Sequence, residues 1–470
     1  MITIGRPPRE RARPGIRGAV RAMGRLAALA LVAATVSACD VDEILQVDLP
    51  GQVLAGDLDD PALTELLVRS AISELECGWS MYSGGASHHS DEYMNASGNA
   101  WWRNMGWRQL EANDERLSTG ECTTAYSMYA PLHTARFQAN DVYNRLTTPE
   151  FAEVPNRESH MATLRALAGY ALVGLGEGFC EMTVPDEEGV PGPLLTPAET
   201  LQRAEQAFTE AIGHAEASGN DDILNMALVG RARVRLDLGD YPGVIADASM
   251  VPPGYLKVAT RGETSNRRYN FNYNSVNSQV QDAHGTITPL YRDLTIDAEG
   301  RPTQGDGVPD PRVNVFNLGI FGHNSVTPIW HHDKYTSRSS PVPIASYKEA
   351  RLFLAEAYLR EGDPDEALAI INARRTELGV PTVTAAAVDV GDPAAMMDLI
   401  IEERRRELFV EGGHRMNDML RFEGTPHDIP WLGEPESIHP DGVDTVGGAY
   451  GDVTCFPLPS VERIGNPNIS

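Results

Sequence analysis

The sequence predicts an all-α protein of helical hairpins with long irregular loops, and three observations lead there. Two segments repeat each other: Ala232-x-x-x-Leu236-x-x-Gly239-Asp240-x-x-x-Val244-Ile245 and Ala355-x-x-x-Leu359-x-x-Gly362-Asp363-x-x-x-Ala367-Leu368. Each reads as helix, glycine turn, helix: the small residue lets two helices approach, Gly supplies a left-handed C-cap, and Asp caps the next helix. Helical patterns recur along most of the remaining chain. Between them lie two long stretches, Cys77 to Cys122 and Pro252 to Ala345, rich in Asn, Ser, Gly and aromatic residues. Loops of that length either bind something or fold into a small subdomain of their own.

In chain order, residues 1–38 read as a lipoprotein signal peptide. Arginines at 6, 9, 11, 13, 17, 21 and 25 precede an uncharged run from Leu26 to Val36, which ends in Val36-Ser37-Ala38-Cys39. That is the layout of a secretory leader with a lipobox, and Cys39 becomes the lipid-bearing first residue of the mature chain. The alternative is an ordinary cleaved signal with Cys39 incidental. Spanning a bilayer takes roughly 18 or more apolar residues, so the run is too short for a transmembrane helix. Residues 39–60 form a tether, and 61–470 a single domain with inserts at 77–122 and 252–345.

Helices are expected over Ala62 to Glu76, Thr124 to Leu146, Glu158 to Leu175, Pro197 to Ala217, Asp222 to Leu238, Tyr241 to Ala248, Ser346 to Arg360, Pro364 to Leu378, Pro393 to Val410 and His414 to Phe422. The Gly-Asp hairpins look like tetratricopeptide pairs, although the two copies lie far apart instead of in tandem. Arg165 to Gly178 resembles a further first helix, less closely. The proline-rich tail from Thr425 to Ser470 is expected to wrap rather than fold alone.

The formal net charge is −27. The leader takes seven arginines and one glutamate with it, leaving 32 basic against 65 acidic residues, or −33. Such a surface repels nucleic acid and anionic headgroups, so no nucleic-acid partner is expected and the membrane is held by lipid alone. Besides Cys39 there are Cys77, Cys122, Cys180 and Cys455, an even number in an exported chain. Three pairings are possible. Cys77 with Cys122 and Cys180 with Cys455 are favoured, because the first two flank one loop-rich segment and the second pair would tie the tail to the helical body.

At Glu402-Glu403-Arg404-Arg405-Arg406-Glu407-Leu408-Phe409-Val410-Glu411-Gly412-Gly413-His414-Arg415-Met416-Asn417-Asp418 the chain resembles the SusD/RagB family of outer-membrane nutrient-binding lipoproteins. The family pattern reads Glu-Arg-x-x-Glu-Leu, then Glu-Gly-x-Arg, then Asp-Leu. Here Glu403-Arg404, Glu407-Leu408, Glu411-Gly412, Arg415 and Asp418 match, with an extra glycine at 412 or 413 and Met419 for Leu. Lys334-Tyr335, Ala350 to Glu356, Asn372, Arg375, Cys455-Phe456-Pro457-Leu458-Pro459 and Asn466-Pro467 fit as well. The signature is read as structural, with Glu402 and Arg406 paired four apart on one helix face and Leu408 turned inward with Ile401. The resemblance implies a lid on a SusC-like TonB-dependent barrel transporter that takes up a glycan or a peptide. Asp40, Asp42 and Glu43 resemble the acidic signal that sends such lipoproteins to the cell surface; a plain acidic tether is the other reading.

Sugars present flat apolar faces ringed by hydroxyls, so a glycan site needs an aromatic platform with amides and carboxylates around it. One candidate segment holds Trp79, Tyr82, Asp91, Tyr93, Asn95, Asn99, Trp101, Trp102, Asn104 and Trp107; the other holds Arg268 to Asn274 and Trp330. The ligand-binding residues expected are Asp91, Trp101, Trp102, Asn104 and Trp330. No catalytic residue, cofactor or metal is expected. Asp297 to Asp310 lacks full calcium-loop spacing, and His88-His89 and His331-His332 are read as surface histidines. Gly174-x-Gly176-x-Gly178 follows a helix instead of a strand, which removes the reason for a dinucleotide site. The rival reading is a lipid-anchored hydrolase with its chemistry in the two loops. A subunit that seats on the transporter and binds no solute is a third.

Overall fold

A computed structural model describes residues 58–469 except 115–116, 118–121, 123–126, 186–189 and 277–282. The leader, Cys39 and the acidic residues after it lie outside that set, as does nearly all of the tether. Helix α1 (Thr64–His89) begins near the expected start but runs on through the opening part of the supposed loop, from Cys77 to His89. Every side chain from Leu75 to His89 is buried, so this part has neighbours on all sides and no polar stripe to betray its period. A Cβ on Gly85 would meet the thioether of Met128, so the glycine lets that side chain lie close against α1. Beyond α1 follow strand β1 (Tyr93–Asn95) and helix α2 (Ala100–Gly106).

Helices α3 (Tyr129–Thr147) and α4 (Arg157–Gly178) pack on α1 and on each other. The expected start of α3 at Thr124 lies outside the described residues. A small ladder of β2 (Met182–Thr183) with β3 (Leu194–Leu195) leads into α5 (Pro197–Ser218), α6 (Asp221–Leu238) and α7 (Tyr241–Ala248). Gly239 turns α6 into α7 at φ 77°, and the Asp240 side chain accepts the Gly243 N–H, the cap read from the repeat.

The stretch from Pro252 is not structureless. Strand β4 (Leu256–Ala259) leaves the helical body, and its antiparallel partner β11 (Val342–Ser346) returns to the same place. Between them run α8 (Phe271–Val276), β5 (Gly285–Ile287), β6 (Leu294–Ile296), β7 (Pro302–Gln304), β8 (Val308–Pro309), and the hairpin of β9 (Val315–Phe321) with β10 (Pro328–His332). β5 pairs with β1, so the two segments read separately as loops share one ladder, with Tyr93 opposite Ile287.

After this insert the helices resume as α9 (Tyr347–Arg360), α10 (Pro364–Leu378), α11 (Pro393–Glu407) and α12 (His414–Phe422). α9 packs against both α6 and α7. The two Gly-Asp hairpins, distant in sequence, are therefore neighbours in one helical stack, with the insert spliced between them. Asp60–Ser470 forms one compact unit.

Buried charge joins insert to stack. Glu403 of α11 accepts from Arg375 at 2.5 Å and from Arg312 of the insert at 2.8 Å. Arg406 pairs with Glu402 at 2.6 Å and Asp310 at 3.1 Å, and donates to the Thr295 carbonyl of β6. Leu408 and Ile401 are both buried. The family-like signature thus works as a set of struts: removing one partner leaves a charge without compensation, at a cost of about 3–5 kcal/mol.

Helix α11 stops at Glu407, short of the expected Val410. Lys334 donates to the Phe409 carbonyl at 2.7 Å, Tyr335 to that of Val410 at 3.1 Å, and Lys334 also pairs with Glu411. These groups satisfy carbonyls of the turn that follows the helix. The tail is tied to the body by the disulfide between Cys180 and Cys455, and a second disulfide, Cys77–Cys122, closes the first insert onto α1. Phe456 bridges Phe179 beside the first of them, and helix α13 (Ser460–Arg463) closes the described tail.

Candidate functional site

The structure brings the two aromatic segments together, mostly inside. Trp101 is 1% exposed and Trp102 5%. The Trp102 ring stacks on His284 at 4.5 Å and on Phe271 at 5.8 Å, which occupies the faces a sugar would need. Their expected role as an open platform is corrected accordingly: they are interior packing. Tyr93 is buried too and donates to Asn272 at 3.2 Å. Three aromatic residues in seven gave the composition of a binding loop, but helix α2 turns its tryptophans inward.

Asp91 is likewise committed. Both its oxygens accept from Arg415, at 2.8 and 2.5 Å, and Tyr291 adds a third hydrogen bond. It lines a cleft of about 590 Å³, yet its charge is already balanced there. Asn104 is half-buried on α2. His88 and His89 are not on the surface but enclosed at the end of α1, where burial lowers the His89 pKa to about 4. His332 is enclosed as well, and burial pushes its pKa down.

Trp330, like Asn104, is partly open to solvent. It sits in β10 opposite Asn317 of β9, half-buried, with its backbone N–H donated to Thr286 Oγ1 at 2.7 Å. The Arg292 guanidinium lies over the ring at 4.5 Å and is fixed there by two hydrogen bonds to the Ile287 carbonyl. Burial lowers the Arg292 pKa to about 10, so it remains a cation at neutral pH. Tyr273 and Leu290 rim the same apolar cluster as Trp330, above Tyr93, Tyr291 and Tyr335. A second stack repeats the motif nearby in sequence, with Arg338 over Tyr269 at 4.6 Å and bonded to Asn274.

On the hairpin itself Phe316 and Phe321 are exposed, Phe321 to 58%. Sequence reasoning missed Arg292, Arg338 and the two phenylalanines. The run Val315-Phe316-Asn317-Leu318-Gly319-Ile320-Phe321 alternates apolar residues with small or polar ones, and was the signal available for the hairpin.

A ring ladder connects interior and surface. Trp102 stacks on His284, His284 lies 5.0 Å from His323, and His323 accepts the Gly98 N–H at 3.0 Å beside exposed Asn99. The face therefore offers π surfaces, fixed cations and amides, a set suited to reversible contact with a polar, ring-bearing ligand. Asp297 to Arg301 is the tight β6–β7 turn, with Asp297 accepting the Arg301 N–H at 2.7 Å. Among the described residues no group of three His, Cys, Asp or Glu could hold a metal, and no helix is long and apolar enough to cross a membrane.

Fold and site together define a helical-hairpin scaffold that presents an aromatic, loop-built face. Residues 328–446 match the model of the SusD family, and the resemblance read from the C-terminal motifs is thus found by fold and by family model alike. Similar solved structures include a SusD-like protein of Bacteroides fragilis NCTC 9343, at 16% identity over 90% of this chain and 99% of that one, TM-score 0.62. A SusD-like carbohydrate binding protein of Bacteroides vulgatus ATCC 8482 matches at 14% identity over 87% and 97%, TM-score 0.62. Surface glycan-binding protein A of Bacteroides fluxus matches at 14% identity over 85% and 98%, TM-score 0.58. No curated protein matches the chain.

Proposed function

We propose that this chain is a surface lipoprotein, anchored through Cys39 after loss of residues 1–38, that captures a saccharide and passes it unaltered to a SusC-like TonB-dependent barrel. One observation carries the reading: a SusD-type helical stack holds, on an insert between two of its hairpins, the half-exposed Trp330 with Arg292 fixed across it. The likeness to a carbohydrate binding protein and to a surface glycan-binding protein supports a sugar over a peptide. In this reading Trp101 and Trp102 back the face through the His284–His323 ladder, and Trp330, Asn104 and Tyr273 meet the ligand. Affinity is modest, because stacking and open hydrogen bonds release what they capture.

The test is purification of the full chain from native membranes, followed by mass analysis of its N-terminus, its protein partner and any retained solute. A lipidated Cys39, a co-purifying β-barrel and a bound sugar are expected. An unlipidated chain without a barrel partner would overturn the proposal.

A further inference from the structure

A second cleft lies on the helical body, away in sequence from the insert. It measures about 390 Å³ and is lined by Arg136, Phe137, Asn140 and Tyr143 of α3 and by Arg165 of α4. Its charges are unevenly matched. Arg165 is paired with Glu210 at 2.7 Å and donates to Asn140, while Asp141, also on the cleft wall, is taken by Arg145. Arg136 has no carboxylate among the described residues: it is only 8% exposed, and its Nε has no hydrogen-bond partner there.

A buried guanidinium with no counter-charge among the described residues is costly to keep, and an anionic ligand in the cleft would offset that cost. Burial, with Arg203 nearby, holds the Arg136 pKa below the ordinary arginine value, whereas the carboxylate-paired Arg404 is raised. Beside it Phe137 stands 55% exposed on an α3 face that also carries Asn140, and Tyr143 is roofed by Arg165 at 5.0 Å. A cation, an open ring and an amide within one cleft match the carboxylate, the apolar face and the hydroxyls of a uronic acid.

We propose that this cleft is a second ligand site, selective for an acidic sugar whose carboxylate pairs with Arg136 and whose ring lies on Phe137. The inference rests on the saccharide reading above but concerns different residues. In a chain of such negative charge a free anion is repelled at long range, so binding here needs the built contact with Arg136.

The test titrates the full chain in detergent with a glucuronate-tipped disaccharide, cellobiouronate, and with neutral cellobiose. The acidic sugar should bind at least tenfold more tightly, and Arg136→Gln and Phe137→Glu should each erase that preference. Phe137 is a surface side chain, so its variant decides the matter even if Arg136→Gln misfolds. Trp330→Ala should weaken the neutral sugar and leave the affinity for the acidic sugar unchanged, so that the ratio between them widens. Equal affinity for the two sugars in the parent chain, or a preference that survives Phe137→Glu, overturns the second site. Loss of the preference alone would leave the Trp330 reading standing, whereas indifference of neutral-sugar binding to Trp330→Ala would remove that reading instead.

Discussion

Glu92 accepts the backbone N–H of Val410 at 2.7 Å, linking the segment after α1 to the turn that ends α11. Val410 has φ of 52°, a left-handed conformation that a β-branched residue adopts only under constraint. Its carbonyl is held by Ser83, Asn272 and Tyr335. The turn is thus fixed from α1, from the insert and from the Lys334-Tyr335 pair at once, and it positions Gly412, Gly413 and α12. Glu92→Ala would strand a buried N–H and should cost about 1–3 kcal/mol in denaturant unfolding.

Burial raises the Glu92 pKa to about 7, although the Val410 N–H works against the rise. Between an unfolded value near 4.5 and this folded one, the native chain keeps a proton that the unfolded chain has released. Its contribution to stability therefore falls as pH climbs through that window. Glu92→Gln cannot titrate. Unfolding free energies at pH 5 and pH 8 should show the gap between variant and parent moving in the variant's favour, and a constant gap would contradict this assignment.

Glu356 behaves in the opposite sense. Burial alone would raise its pKa, but Arg421 at 2.6 Å and Arg404 at 2.8 Å hold it at about 2. Its stabilisation is complete above the unfolded value near 4.5 and is lost as pH falls toward 2. Glu356→Gln should cost about 3 kcal/mol at pH 7, because Arg404 and Arg421 each lose one carboxylate and are left to share Asp418, with Asp237 also near Arg421. Urea titrations at pH 7 and pH 3 should show the penalty shrinking in acid.

The Cys180–Cys455 bond closes a sequence separation of 275 residues. Loop entropy puts its value at about 5 kcal/mol as an upper figure, less whatever structure the reduced chain retains. Replacing both cysteines with Ser should lower the melting temperature and open the tail beyond Thr425 to protease before the helices are cut. Simultaneous cleavage of tail and helices would argue against the tail being a strap.

Trp102→Ala and Trp330→Ala should separate structure from binding. The first empties a core position and should cost about 3–5 kcal/mol of stability. The second should leave melting within a few degrees of the parent chain while weakening sugar binding about tenfold, the scale of one lost stacking contact with its buried area.

How far the sequence reached depended on whether the cause was local. Gly239-Asp240 and Gly362-Asp363 announce their hairpins because a left-handed cap and an Asx cap are written in adjacent residues. That the hairpins are neighbours was hidden by the insert between them. The second half of α1 was lost because enclosure on all sides leaves no polar face to mark the period, and its serines and glycines imitate a loop. Ladders of a few residues, such as Tyr93 opposite Ile287, have no local signature at all. For the same reason Trp330 and Trp101 look alike in composition, and only the fold turns one outward and the other in.

The most direct measurement of the central claim is calorimetric titration of the full chain with neutral oligosaccharides, with the recovered sugar assayed for change, in the parent and in Trp330→Ala. Reversible micromolar or weaker binding, sugar returned intact, and about tenfold loss in the variant are the results predicted. Hydrolysed sugar, or binding that ignores Trp330→Ala, would contradict a capture-and-release role for the Trp330 face.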